Sequence, residues 1–133
     1  EMKRVSNRWM KQAGEQGYIE NAYGRRLSVP SERVYVATNY RIQGTAADMM
    51  KISMARCNRF LKSTGLDARI ILTVHDELIF EIKAEHSKKW LLRKIKELME
   101  DHEEFVNIPM SVGVSKVVSS WDIEEDFDHL FAA

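Results

Sequence analysis

Between two apolar runs, Ile70-Ile71-Leu72 with Val74 and Leu78-Ile79-Phe80 with Ile82, the chain places only His75, Asp76 and Glu77. Apolar runs joined so tightly read as a hairpin, and hairpin turns normally use Asn-Gly or Asp-Gly because their central residues take positive φ. An imidazole and two carboxylates without a glycine break that rule, and such violations concentrate at functional or strained sites. The plain alternative is a polar turn facing water. A carboxylate held at the end of a buried hairpin suits Mg2+, which combines protein oxygen donors with substrate phosphates. Two such cations ~3.5–4 Å apart can stabilise the attacking and leaving oxygens of a phosphoryl or nucleotidyl transfer. Consecutive residues of an extended chain point to opposite sides, so Asp76 and Glu77 are not expected to hold a metal pair equally. A further carboxylate must come from elsewhere. Asp48 falls beside the apolar stripe of a helix, where a structural hydrogen bond is the expectation.

The elements that must position these residues follow from periodicity. The two runs of the hairpin are expected to be strands buried on both faces. Before them, Ile42, Ala46, Met50, Met54, Cys57 and Leu61 form a stripe at three- and four-residue spacing, widened by Met49 and Ile52 and closed by Gly65. Lys51, Arg56 and Arg59 lie off that stripe and read as a solvated face. Ser31 could start the helix earlier, although Val34, Val36 and Thr38 are β-branched. At the N-terminus, Met2, Val5, Trp9 and Ala13 predict a helix with no capping residue before it, which reads as part of something longer. Gly14 and Gly17 end it, an extended stretch begins at Tyr18, and residues 22–26 form a turn carrying Arg25 and Arg26. After the hairpin, Leu91, Ile95, Leu98 and Met99 predict an amphipathic helix near residues 87–102, and Met110 to Val114 alternate like a half-buried strand. About three strands are expected beside the long helices, leaving a sheet edge that needs cover. The acidic tail, residues 122–128, is expected to be solvated and anchored by Trp121, Ile123, Phe127 and Leu130. No repeat, low-complexity tract or interior linker interrupts the chain, so residues 1–133 read as one α+β unit, with 1–30 as lead-in helix and basic turn.

Composition removes several classes. Twenty basic and 20 acidic residues give zero net charge, which taken alone argues against a polyanion partner. The average hides a split: residues 1–62 carry 12 basic and 5 acidic side chains, residues 63–133 carry 8 and 15. No run of 18 apolar residues or signal-like start is present, so no membrane partner is expected. Cys57 stands alone, and His75, His86, His102 and His129 lack metal-ligand spacing. The string HDEL at 75–78 works as a retention signal only at a C-terminus.

An ordered set of motifs joins these elements: GlyTyrIleGlu at 17–20, GlyArgArg at 24–26, GlnGlyThrAlaAlaAsp at 43–48, ValHisAspGlu at 74–77, ValGlyVal at 112–114 and Trp121. In order and spacing this set resembles the family A DNA polymerases, the bacterial DNA polymerase I group and its phage relatives, over roughly residues 1–121. The resemblance implies a palm subdomain, a small antiparallel sheet with a catalytic hairpin packed on long helices. It implies Asp76 as a catalytic metal ligand, Glu77 as a nearby acid of lesser importance and His75 beside the primer terminus. Asn39 and Gln43, four apart on one helical face, match the pair that tests the primer–template minor groove, where correct base pairs share acceptors. Arg25 and Arg26 would by position serve the DNA backbone. The position four before Asn39, an arginine in bacterial members, is Tyr35. The strand bearing the other catalytic aspartate and the fingers helix that grips the incoming triphosphate have no counterpart in the 133 residues. The implied activity is therefore primer extension with dNTPs and two Mg2+ ions, completed by a complementary polymerase fragment or subunit. The implied location is the cytoplasm of a bacterial or phage-infected cell, or an organelle. A non-catalytic duplex-DNA-binding module derived from such a palm is the alternative. An unrelated RNA-binding α+β domain would need stacking aromatics on its strands, where only Phe80 stands.

Overall fold

The computed structural model describes residues 1–102, 105, 108–118 and 124–127. Their contacts divide the chain into two compact units, Glu1–Lys51 and Ile52–Ala133. The sequence carries no linker at this boundary because the boundary falls inside a helix.

In the first unit, α1 (Met2–Gln16) ends at Gly17, whose φ of 75° provides the left-handed C-cap that glycine adopts most readily. Of its apolar stripe, Ala13 is buried and Trp9 packs on the core, whereas Met2 is 87% exposed. Strands β1 (Tyr18–Glu20) and β2 (Arg26–Ser28) pair antiparallel, with Ile19 opposite Leu27. A 3-10 turn over Ser31–Val36 follows, with Arg33 outside helical geometry. The long helix α2 (Ala37–Thr64) thus starts after the β-branched Val34 and Val36, not at Ser31. Ala13, Ile19, Val29 and Ala37 form the core.

In this unit the face that α2 buries differs from its expected stripe. Ile42 is 58% exposed and Ala46 is exposed, whereas Gly44 is buried. The reason is polar docking. Arg41 donates to the Glu20 carbonyl and lies 5.0 Å from the centre of the Trp9 ring. Thr45 Oγ1 accepts the N–H of Ala22 at 3.1 Å. A Cβ on Gly44 would fall 2.5 Å from Leu27 Cδ1, so glycine allows this close approach.

In the second unit, Cys57 and Leu61 of α2 meet Leu91 and Ile95 of α3 (Lys89–Glu100), and Ile70 and Phe80 pack on this cluster. The hairpin consists of β3 (Ala68–Val74) and β4 (Glu77–Ile82). Its expected burial on both faces is corrected: Ile71 is 52% and Leu72 47% exposed. The helix pair covers one face, and no third strand joins this hairpin among the described residues.

The sheet differs from expectation too. The described strands form three separate two-stranded sheets. Residues 110–114 form no strand: α3 takes both backbone groups of Val112, whose N–H donates to Glu100 Oε1 at 2.9 Å and whose carbonyl accepts from Lys96 Nζ, and the Val114 carbonyl accepts the Phe127 N–H at 2.8 Å. Pairing begins later, between β5 (Ser115–Val117) and β6 (Glu124–Asp126), so part of the acidic tail is an exposed strand. Phe127 is half-buried; Trp121, Ile123 and Leu130 lie outside the described residues. Arg56 is not solvated, its side chain being 26% exposed and donating to the Asp101 carbonyl. His102 is buried with Ser53, 3.1 Å from Nε2 to Oγ.

Candidate functional site

The hairpin turn is shorter than its three polar residues suggest. Glu77 already belongs to β4 and pairs with Val74, leaving His75 and Asp76 as a two-residue turn. His75 has φ of 51°, alone among the described non-glycine residues in the left-handed region. Positive φ at only the first central residue is the pattern in which hairpins place glycine. Below the turn, Ile70 pairs with Phe80 and Leu72 with Ile79, so Ile71 is an extra residue on β3. Such a bulge increases local twist and re-aims the side chains beyond it, a device that recurs beside active sites. Farther from the turn, Arg69 and Glu81 form an exposed cross-strand ion pair.

His75, Asp76 and Glu77 are all exposed. No group of three or more His, Cys, Asp or Glu that could hold a metal ion occurs among the described residues. The turn thus offers one or two hard oxygen donors, of the kind Mg2+ takes, and not a full coordination set.

The other candidate residues lie in the first unit. Asn39 and Gln43 are exposed on α2, four apart and hence on one face. Arg25 is held down: its Nε donates to Asp48 Oδ2 at 2.8 Å and Nη2 to the Gly44 carbonyl at 3.4 Å. Burial raises the Asp48 pKa, but hydrogen bonds from Arg25 and Asn21, with the charges of Arg25 and Lys51, outweigh it and hold the carboxyl below its ordinary range. Asp48 is therefore a structural anion, as its place in the helix suggested. Arg26 is more open, paired with Glu20 at 3.1 Å and lying 4.7 Å from the centre of the Tyr18 ring. Asn21, which sequence patterning did not single out, is 3% exposed at the centre of this turn. The available signal was Asn-x-x-Gly at 21–24, since asparagine closes turns through its own side chain. Trp121 falls outside the described residues.

The family model for DNA polymerase family A matches residues 1–123. Over 123 residues the chain is 39% identical to DNA polymerase I of Pseudomonas aeruginosa, covering 84% of this chain and 13% of that protein. It is 34% identical over 118 residues to the thermostable DNA polymerase I of Thermus aquaticus, covering 80% and 14%. It is 35% identical over 88 residues to the DNA polymerase of Mycobacterium phage L5, covering 66% and 14%. Among solved structures, the POL domain of Pol1 from M. smegmatis, in complex with DNA primer-template and dNTP, matches with a TM-score of 0.67 and 32% identity, covering 74% of this chain and 19% of that one. The chain spans about one-seventh of the length of the Pseudomonas, Thermus and phage polymerases. With its α+β architecture and its motif order, this chain belongs to DNA polymerase family A.

Proposed function

We propose that the chain is the C-terminal palm portion of a template-directed DNA polymerase, extending a primer when a complementary segment or subunit supplies the remaining parts. The observation that carries this reading is the turn itself: an exposed aspartate on a glycine-free two-residue turn, behind a bulge, within the motif order of the family. In the reaction the primer 3′-hydroxyl attacks the α-phosphate of a dNTP, forming a phosphodiester bond and releasing pyrophosphate. Asp76 would contribute an oxygen to Mg2+, with Glu77 as its lesser neighbour; the cation, when bound, supplies charge stabilisation for phosphoryl oxygens. A second carboxylate comes from outside the chain in this reading. His75 would adjoin the primer terminus. Asn39 and Gln43, exposed on one helical face, would meet minor-groove acceptors and so sense duplex shape without reading sequence. The basic turn would lie beside the DNA backbone, with Arg26, paired with the half-exposed Glu20, as the cation that serves it and Arg25 held on Asp48.

The experiment is primer extension with dNTPs and Mg2+, using the chain together with a complementary polymerase segment. Asp76→Ala is expected to abolish extension while leaving duplex binding in place. Retained extension would show that Asp76 is not a catalytic ligand. Duplex binding without extension in the wild-type mixture would favour the non-catalytic module. Extension by the 133-residue chain alone would refute the need for a complement.

A further inference from the structure

We infer that Asn21 is a positioning residue: it locks the basic turn onto α2, engages Arg25 inside the lock, and leaves Arg26 as the turn's cation for a phosphodiester backbone. The partner's identity rests on the polymerase reading; the lock does not. Asn21 uses both ends of its amide. Nδ2 donates to the Gly44 carbonyl at 3.0 Å and to Asp48 Oδ2 at 2.5 Å, both on α2. Oδ1 accepts the N–H groups of Tyr23 at 3.0 Å and Arg25 at 2.9 Å, both in the turn. The main chain closes the same loop, Asn21 N–H to the Arg25 carbonyl at 3.0 Å and Gly24 N–H to the Asn21 carbonyl at 3.1 Å. One buried side chain therefore satisfies two donors and two acceptors, on both partners at once. No alanine could do this.

The two arginines then differ in what releasing them requires. Moving Arg25 to a phosphate would strip Asp48, whose side chain is only 15% exposed, of its closest cation. A carboxylate shielded from water is costly to leave unpaired. Arg26 faces no such obstacle. Its side chain is 67% exposed and that of Glu20 40%, and ion pairs in water hold weakly enough to exchange for a phosphate. Stacking on Tyr18 keeps the guanidinium near the strand while leaving it exposed.

The test measures binding of the 133-residue chain to a fluorescein-labelled primer–template duplex between 0.05 and 0.2 M NaCl, by anisotropy, on the order of the range where counterion release is read. Arg26→Ala is expected to reduce the slope of log K against log[salt] by about 0.9 and to weaken binding roughly fivefold at 0.15 M salt. Asn21→Ala changes no charge, yet is expected to reduce the slope in the same direction. Asn21→Ser changes no charge and keeps a hydroxyl that can accept a turn N–H and donate to one α2 acceptor, and should give a slope between those of Asn21→Ala and wild type. Arg25→Gln with Asp48→Asn removes the cation and its anion together at unchanged net charge, and should leave the slope unchanged. A drop of about one there would place Arg25 on a phosphate and overturn the assignment. Amide exchange reads the lock without DNA: Tyr23 and Arg25 should lose at least about tenfold protection in Asn21→Ala. Unchanged protection in a folded variant overturns the lock. If that variant does not fold, Asn21→Ser, which also changes no charge, decides the same point: its turn amides should lose part of their protection and its slope should fall part of the way, and wild-type values for both overturn the lock. If the wild-type chain ignores duplex DNA both alone and with the complementary segment, the polymerase reading and the role of Arg26 fail, and exchange alone decides the lock.

Discussion

His75→Gly should stabilise the chain while harming its proposed activity. His75 sits at φ of 51° in a two-residue turn, where an L-residue carries roughly 1–2 kcal/mol of steric penalty. Glycine removes that penalty but costs roughly 0.5–1 kcal/mol in unfolded-chain entropy. The imidazole is exposed, so little packing is lost. The balance is a gain of about 0.5–1 kcal/mol, or about 2–4 °C in melting temperature for a chain of this size. Urea and thermal unfolding, with His75→Ala as the comparison, measure it. Alanine keeps the left-handed penalty and should be close to wild type. If His75→Gly is no more stable than His75→Ala, the positive φ carries no strain and the case for a turn held against its preference collapses. In primer extension with the complement, His75→Gly should be slower than wild type, because the glycine turn holds Asp76 less rigidly. Greater stability joined to lower activity is the pattern of a site maintained at the expense of the fold.

Three further outcomes follow from the cores and the lock. Leu91 is fully buried, so Leu91→Ala should cost about 2–5 kcal/mol, read as a lowered urea midpoint with unchanged m-value. Burial pushes the Cys57 thiol up to about 11, so iodoacetamide at pH 8 should label the folded chain far more slowly than the unfolded one, labelling rising along the urea transition. Asp48 titrates below its ordinary 3.8 in the folded chain, so its stabilisation is complete above that value and is lost as pH falls through the lowered one. Asp48→Asn should therefore flatten the loss of stability below about pH 4, measured by urea unfolding across that range.

The elements with a strong single period are legible in the sequence. Helix α3 shows its apolar face as Leu91, Ile95, Leu98 and Met99, and the hairpin shows two apolar runs around three polar residues. What periodicity misreads is which side is covered. Ile71 and Leu72 read as buried because a continuous apolar run normally means two covered faces, yet only one face has a helix pair against it. The bulge is equally silent: an extra residue on one strand changes the face pattern without leaving a glycine or proline to mark it. At residues 110–114 the alternation is real, but Lys96 and Glu100 use side chains to occupy backbone groups that a partner strand would otherwise take.

The candidate site divides along the same line. The hairpin turn is legible as unusual because it carries no glycine where His75 takes positive φ, and such a violation needs only neighbouring residues to be seen. The basic turn obeys its local rules, and its organisation depends on residues more than twenty positions away. Arg25 and Arg26 look equivalent in sequence, and the distinction between them is set by Asp48 and Glu20, a shielded carboxylate and an open one. Asn21 likewise is an ordinary turn residue until Gly44 and Asp48 stand against its amide. The long stripe of α2 misled for a related reason. In the first unit the helix docks through Arg41, Thr45 and Asp48, so its contact face is polar and apolar counting points the wrong way. A helix that buries hydrogen-bonded polar groups gains a fixed register from them, since each bond is lost on rotation or sliding. For a turn inferred to present Arg26 to a phosphodiester backbone, that register matters more than the additional apolar area Ile42 and Ala46 would have buried.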